Sequence, residues 1–276
     1  MLKVNTSLLV PDAWKDEKDG ESGYPYVAKF RHGEKKLSYL AATHENSINS
    51  KTFQLIAKEF REFNPEVSII EGLASESGFS PENHSKSLKE IDLSRPIWGN
   101  GEPSYAAALA LKNNIPYIGG EPGKHVKDTL YKRFTAKDLA GYYVILQIPY
   151  WSRMNTGKTP DFNNWFKELM VGLKKSSWID QDIEFTADEF TRWYESKHHI
   201  KFEFNKINSD DSAPISGENA LFTQKIGFQL ALLRDMNILQ VITDMLNKFN
   251  RVLVVYGGGH YAAQKAALAD MLGQPE

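Results

Sequence analysis

The 276-residue chain contains no cysteine. That excludes a disulfide framework, a Cys-type zinc site, an iron–sulfur cluster and a cysteine nucleophile. Any metal must rest on His, Asp and Glu, and any nucleophile must be Ser, Thr, Lys, a carboxylate or activated water. An excess of one charge is also missing: 33 Lys and Arg stand against 35 Asp and Glu, a formal net charge of −2. No basic stripe runs along the sequence, since Lys35-Lys36 and Lys174-Lys175 are isolated pairs, so no nucleic-acid partner is expected. Long apolar runs are absent as well. The longest uncharged stretch, Leu139 to Ser152, carries Gly141 and Pro149 and is too short to span a bilayer. Pro11, Asp12 and Lys15 follow the first residues, which excludes a signal-peptide hydrophobic region. The expectation is a cytoplasmic protein as the chain stands, or an extracytoplasmic one whose export signal was removed.

What is present is the composition of an ordinary globule, 25% charged and 41% hydrophobic, long enough to fold without a disulfide or a structural metal. Tyr26 to Phe30 and Lys36 to Ala42 read as two extended segments around a turn at Arg31-His32-Gly33-Glu34. A helix follows from Ser50 to about Phe63, with Phe53, Ile56, Ala57 and Phe60 on one face, and Asn64-Pro65 ends it. Val67 to Ile70 is a short β-branched strand finishing at Glu71-Gly72. An Ala-rich helix from Pro103 to about Asn113 leads to a strand at Ile115 to Ile118. A long helical region, Glu218 to Phe249, precedes Arg251 to Tyr256, the clearest buried strand, and helix resumes at Ala262. This order predicts an α/β fold: a layered α/β/α core with a mainly parallel sheet. The pattern between about residues 130 and 215 differs, with aromatic-rich helical segments and a capping box at Thr186-x-x-Glu189. It predicts a largely helical insertion or lid within a single domain spanning residues 1–276.

Four predicted strand ends carry ionisable side chains: His44, Glu71, Glu121 and, through three glycines, His260. In open α/β sheets, ligands sit outside the carboxyl ends of the strands, so these four are expected to meet in one crevice. Two His and two Glu match a His/carboxylate metal site. They equally suit metal-free acid–base chemistry with His as base and Glu orienting it. Singly, each has a plainer reading, as a helix cap, an ion pair or a tight turn; their conjunction is what points to a site.

The residues Ala41-Ala-Thr-His44, Ile69-Ile70-Glu71, Ile118-Gly-Gly-Glu121, Leu233-Arg234-Asp235 and Gly257-Gly-Gly-His260 resemble the motif series of the TraB/GumN/Tiki group. That group, typified by paired Gly-x-x-His motifs, is allied to erythromycin-esterase and ChaN-like haem-uptake proteins. The resemblance covers about Leu37 to Glu121 and Ala231 to Gly273. Ala41 replaces the usual Gly, Gly120-Glu121-Pro122 replaces a Leu-Glu-Thr form, and Asp235 stands where Asn is common.

The resemblance implies a metal-dependent hydrolase, acting on peptides in the Tiki branch and on cyclic esters in the esterase branch. His44, Glu71 and His260 would bind a divalent cation such as Zn, Mn or Co. Glu121 would act as general base on water and Arg234 would steady a carboxylate or the developing oxyanion, with Glu71 and Glu121 able to exchange roles. In a metal-free version His44 would deprotonate water directly. The alternative is a non-catalytic ChaN-like protein that binds haem or another large ligand, with a Tyr of the insertion on the iron.

Other signals suggest less. Gly99-Asn-Gly101-Glu-Pro-Ser104 mimics a dinucleotide fingerprint without a clean strand before it, and reads as a turn entering the Pro103 helix. His198-His199 reads as a cationic pair suited to a helix carboxyl end. His84 and His125 read as solvated, and Tyr261 as either an oxyanion donor or a packing residue.

Overall fold

The structure is a computed structural model that describes residues 1–15, 23–123, 125–155 and 158–276, with the side chain of His125 outside the description. The described residues form two compact units, Met1–Lys124 with Leu232–Glu276, and His125–Ala231.

The first unit is built on a five-stranded sheet of β1 (Tyr26–His32), β2 (Lys35–Ala42), β3 (Val67–Ala74), β4 (Tyr117–Glu121) and β5 (Arg251–Gly257). The strand order is β1-β2-β5-β3-β4. Only the β1–β2 hairpin is antiparallel; β2–β5, β5–β3 and β3–β4 are parallel. The fold is therefore α/β with a mainly parallel sheet, as the sequence order predicts.

Residue type explains the central strand. Val252, Leu253, Val254 and Val255 are all fully buried, which requires a strand covered on both faces. Side chains alternate across the sheet. Tyr39, Ala41, Val67, Ile69, Val254 and Tyr256 join Ile238, Leu239, Ile242 and Leu268 from the helices Phe222–Lys248 and Gly258–Leu272. Leu40, Ala42, Ile70, Leu253 and Val255 join Phe53, Ile56 and Phe60 of the helix Lys51–Glu62 and the alanines of the helix Gly101–Lys112. Two apolar cores thus sandwich the sheet, giving three layers.

The chain leaves β2 for a helix on one face and enters β5 from a helix on the other. Since β5 lies between β2 and β3, the connections part there, which opens a crevice at the carboxyl ends of those strands.

Of the boundaries that differ from the sequence reading, three move a residue expected in the site. β3 continues through Glu71 to Ala74, so Glu71 lies inside a strand. β4 starts at Tyr117, because Pro116 has no N–H to donate to a ladder. The last helix starts at Gly258, with Gly257 as its N-cap at φ −53°, so His260 sits in the first helical turn instead of on a glycine loop.

The second unit is helical and contains the segment the sequence marks as an insertion. Its helices Ala136–Met154, Phe162–Lys175 and Ala187–His198 bury Val144, Ile145, Phe166, Met170 and Phe190 in a core of their own. Both Thr135 and Thr186 close reciprocal capping boxes, with Asp138 and Glu189 respectively. Most aromatic residues of these segments pack here, although Tyr150 and Trp178 remain exposed. No helix among the described residues is long and apolar enough to cross a membrane.

Candidate functional site

All five residues singled out by the sequence lie in the first unit, and the structure links them through one polar network. The hub is Glu71, side-chain exposure 13%, on β3 beside β5. One of its oxygens accepts the Gly257 N–H at 2.8 Å. The other lies 3.4 Å from Arg234 Nη2 and 3.7 Å from His260 Nε2. Burial works to raise the Glu71 pKa, but His260, Arg234, His44 and the Gly257 amide outweigh it and hold the carboxyl below its usual range.

Arg234, on the helix over this face of the sheet, forks onto Glu121. Its Nε and Nη2 each donate at 2.7 Å to one oxygen of that carboxylate. This is the bidentate geometry that a guanidinium forms best. Burial opposes the charge on Arg234, yet Glu121 and then Glu71 raise its pKa further, so it is always a cation. The Nη1 hydrogens are engaged by neither Glu121 nor Glu71.

The two imidazoles are held alike. His44 Nδ1 meets Glu102 Oε1 at 2.5 Å, and His260 Nδ1 meets Asp235 Oδ1 at 2.8 Å. Both acids are nearly inaccessible, at 3% and 2% exposure. A buried carboxylate on Nδ1 fixes the ring and leaves Nε2 for other work. His260 Nε2 is turned to Glu71, as the 3.7 Å approach records. A Cβ on Gly257 would lie 3.1 Å from His44 Nε2 and 3.4 Å from Glu71 Oε2. Gly257 has a negative φ, so what this position demands is space for His44 beside Glu71, and not left-handed backbone.

His44 differs in exposure, its ring being 69% open to solvent. The hydrogen bond that its Nδ1–H donates to Glu102 raises its pKa from 6.5 to about 9, with Glu71 adding to the rise and desolvation and Arg234 opposing it. At neutral pH the imidazole without a bound cation is protonated, and so carries no lone pair with which to deprotonate water.

Ligand atoms of His44, Glu71 and Glu102 come within 4.8 Å of one another, a group that can hold a metal ion. The electrostatics suit a cation. Glu71, Glu102, Glu121 and Asp235 bring four formal negative charges to the network, against the positive charges of Arg234 and the protonated His44.

Glu102 and Asp235 were not among the residues picked as the site. Glu102 hides inside the Gly99 to Ser104 stretch, which the structure resolves as the start of the helix Gly101–Lys112, with Pro103 as its third residue. An acid in a first helical turn usually reads as a macrodipole effect. The signal for Asp235 was its adjacency to Arg234 in the motif series.

Several secondary readings change. His84 is half-buried, its Nδ1 2.8 Å from Tyr117 Oη, and burial lowers its pKa, so it is not simply solvated. His198 is buried, and burial then His199 depress its pKa to about 4, so it is neutral at the helix end and no cation for the macrodipole. Tyr261 is a packing residue, its ring against Tyr39 and Tyr26. The reading of a solvated His125 concerns a side chain that lies outside the description. No protein-family model, curated protein or solved structure matches the chain.

Proposed function

We propose that the protein is a metal-dependent hydrolase of esters or peptides, with His44, Glu71 and His260 holding a divalent cation. The observation that carries this reading is the matched pair of imidazoles, each tied through Nδ1 to a buried carboxylate, with His260 Nε2 3.7 Å from Glu71 and His44 in the group of possible ligands that includes Glu71. Carboxylate–histidine pairs of this kind orient and strengthen metal-binding imidazoles. Two His and one Glu are also a familiar ligand set for catalytic zinc. Glu102 belongs behind His44 in this reading, since its Oε1 is taken by Nδ1 and its Oε2 by the Glu45 N–H at 3.3 Å.

A bound divalent cation supplies Lewis acidity, making water more acidic and a carbonyl more electrophilic. The chain's own residues do the rest. Glu121 is the base: by taking the water proton it would release one of its two bonds from Arg234. The guanidinium hydrogen so freed, with the Nη1 hydrogens, would then serve the developing oxyanion. The metal-free version with His44 as base is disfavoured, because that imidazole is protonated at neutral pH. The resemblance to the TraB/GumN/Tiki motif series supports the same assignment residue by residue.

Titration calorimetry with Zn²⁺, Mn²⁺ and Co²⁺, followed by ester and peptide screens with and without chelator, tests the proposal. Chelator-sensitive turnover that Glu71→Gln abolishes in a folded protein is the expected result. Turnover indifferent to chelator, or unchanged in Glu71→Gln, would remove the metal from the account. A Soret band on haem titration that survives loss of His44 and His260 would favour a carrier instead. Glu102→Gln separates the two acids near His44: it should weaken binding about 10–100-fold if Glu102 stands behind the imidazole. Loss as complete as in Glu71→Gln would make Glu102 a ligand itself.

A further inference from the structure

The network behind His260 runs deeper than the one behind His44. Gln264 follows His260 by four residues on the helix Gly258–Leu272, so both side chains leave the same face. Gln264 is fully buried. Its Nε2 donates to Asp235 Oδ1 at 2.6 Å, the same oxygen that meets His260 Nδ1. Its Oε1 accepts from Tyr39 Oη at 3.2 Å, and Tyr39 is fully buried in β2. Behind His44 the chain ends one step back, at Glu102 and the Glu45 N–H.

Chemistry fixes the direction of every bond in this series. An ionised carboxylate only accepts, so Gln264 must present its amide nitrogen to Asp235. Its oxygen then faces Tyr39, whose hydroxyl must donate. Burial, then the charges of Asp235 and Glu71, keep that phenol protonated far above the ordinary range. With one lone pair of Asp235 Oδ1 occupied by Gln264, the remaining interaction of that oxygen is with His260 Nδ1, which must carry the hydrogen.

We propose that Gln264, backed by Tyr39, is a positioning residue that locks His260 in its Nδ1–H tautomer and keeps the Nε2 lone pair toward Glu71. Neither residue reaches the reacting atoms. The purpose of the lock rests on the proposed metal site, whereas its geometry does not. The two imidazoles are consequently unequal partners: His260 is set before any ligand arrives, and His44, open to solvent, adjusts.

The test is long-range ¹H–¹⁵N correlation NMR of the histidine rings in the metal-free full-length protein at alkaline pH. His260 is assigned from the signals lost in His260→Asn. The wild type should show His260 as Nδ1–H, and Gln264→Leu should show a mixture of tautomers or an inverted one. In parallel, the Zn²⁺ dissociation constant should rise about 10–100-fold in Gln264→Leu, the usual effect of removing an outer partner of a metal-binding histidine. Gln264→Met, which keeps the length of the side chain but neither donates to Asp235 nor accepts from Tyr39, should shift the tautomer as Gln264→Leu does. It also serves as the second variant should the leucine substitution prevent folding. An Nε2–H signal for wild-type His260, or an unchanged Nδ1–H signal in Gln264→Leu, overturns the proposal. If the wild type binds no Zn²⁺, Mn²⁺ or Co²⁺, the metal reading fails while the tautomer still decides the role of Gln264.

Discussion

Acid should weaken the helical unit through one residue, His198. Its side chain is 8% exposed and stacks on Tyr194 with ring centroids 4.4 Å apart, and neither ring nitrogen has a hydrogen-bond partner among the described residues. The imidazole is therefore neutral when folded, with a pKa depressed to about 4 chiefly by burial. In the unfolded chain it titrates near the ordinary value of about 6.5. Because the unfolded state binds the proton first, stability is fully present above about pH 6.5 and is lost as pH falls toward 4. Linkage over that window gives a loss of about 3 kcal/mol by pH 4, an order-of-magnitude value. His198→Phe keeps the stacked ring and deletes the titration. Hydrogen exchange in the helix Ala187–His198 between pH 7 and 4, compared at equal intrinsic exchange rates, measures the difference directly. The variant should be near wild type at pH 7 and progressively more protected than wild type below pH 6. Parallel pH profiles for the two proteins would refute the reasoning, because nothing else in the substitution titrates in that range.

Three further outcomes concern the site and its frame. Arg234→Lys keeps the charge but loses the two-pronged hold on Glu121, and should lower kcat/KM about 10²–10³-fold with the fold intact by circular dichroism. Gly257→Ala puts a methyl 3.1 Å from His44 Nε2, so Zn²⁺ affinity measured by calorimetry should fall about 10-fold while thermal stability changes by less than about 1 kcal/mol. Gly119→Ala should do the reverse of a site mutation: its Cβ would lie 2.0 Å from the Leu73 carbonyl oxygen, forcing β3 and β4 apart. Denaturant titration should register a loss of about 3 kcal/mol.

The fold was legible because its decisive strands are written in residues that have few alternatives. Val252 to Val255 can only be a strand covered on both faces, and the glycines after it mark where the backbone is approached closely. His44, Glu71, Glu121, Arg234 and His260 stood out because each sits by a strand end or in a motif, and the network links all five. What stayed hidden was the layer behind them. Glu102 is one acid among many in a first helical turn, and only the return of the chain after β2 brings His44 to it. Gln264 looks like an ordinary helix residue until the helix Phe222–Lys248 supplies Asp235 across the gap. His198 shows the opposite failure: its neighbours in sequence, Lys197 and His199, suggest a charged helix end, while Tyr194 and the surrounding core decide that it is neutral. Burial by residues remote in sequence is the common cause in each case.

The position of β5 also has a consequence for how the molecule is made. It comes last of the five described strands in chain order, yet it occupies the middle of the sheet, between β2 and β3. Until it emerges, the chain holds two separate ribbons, β1–β2 and β3–β4, each with an unpaired inner edge. Closing them requires pairings between β5 and β2 across more than 200 residues of sequence, from Lys36 with Arg251 to Ala42 with Gly257. Such long loops make closure slow and leave apolar edges open to wrong partners meanwhile. A nascent chain or proteolytic product ending before Arg251 would accordingly lack His260 and be prone to aggregate. The same strand that joins the ribbons delivers His260, so the polar network around Glu71 is completed only when the sheet is.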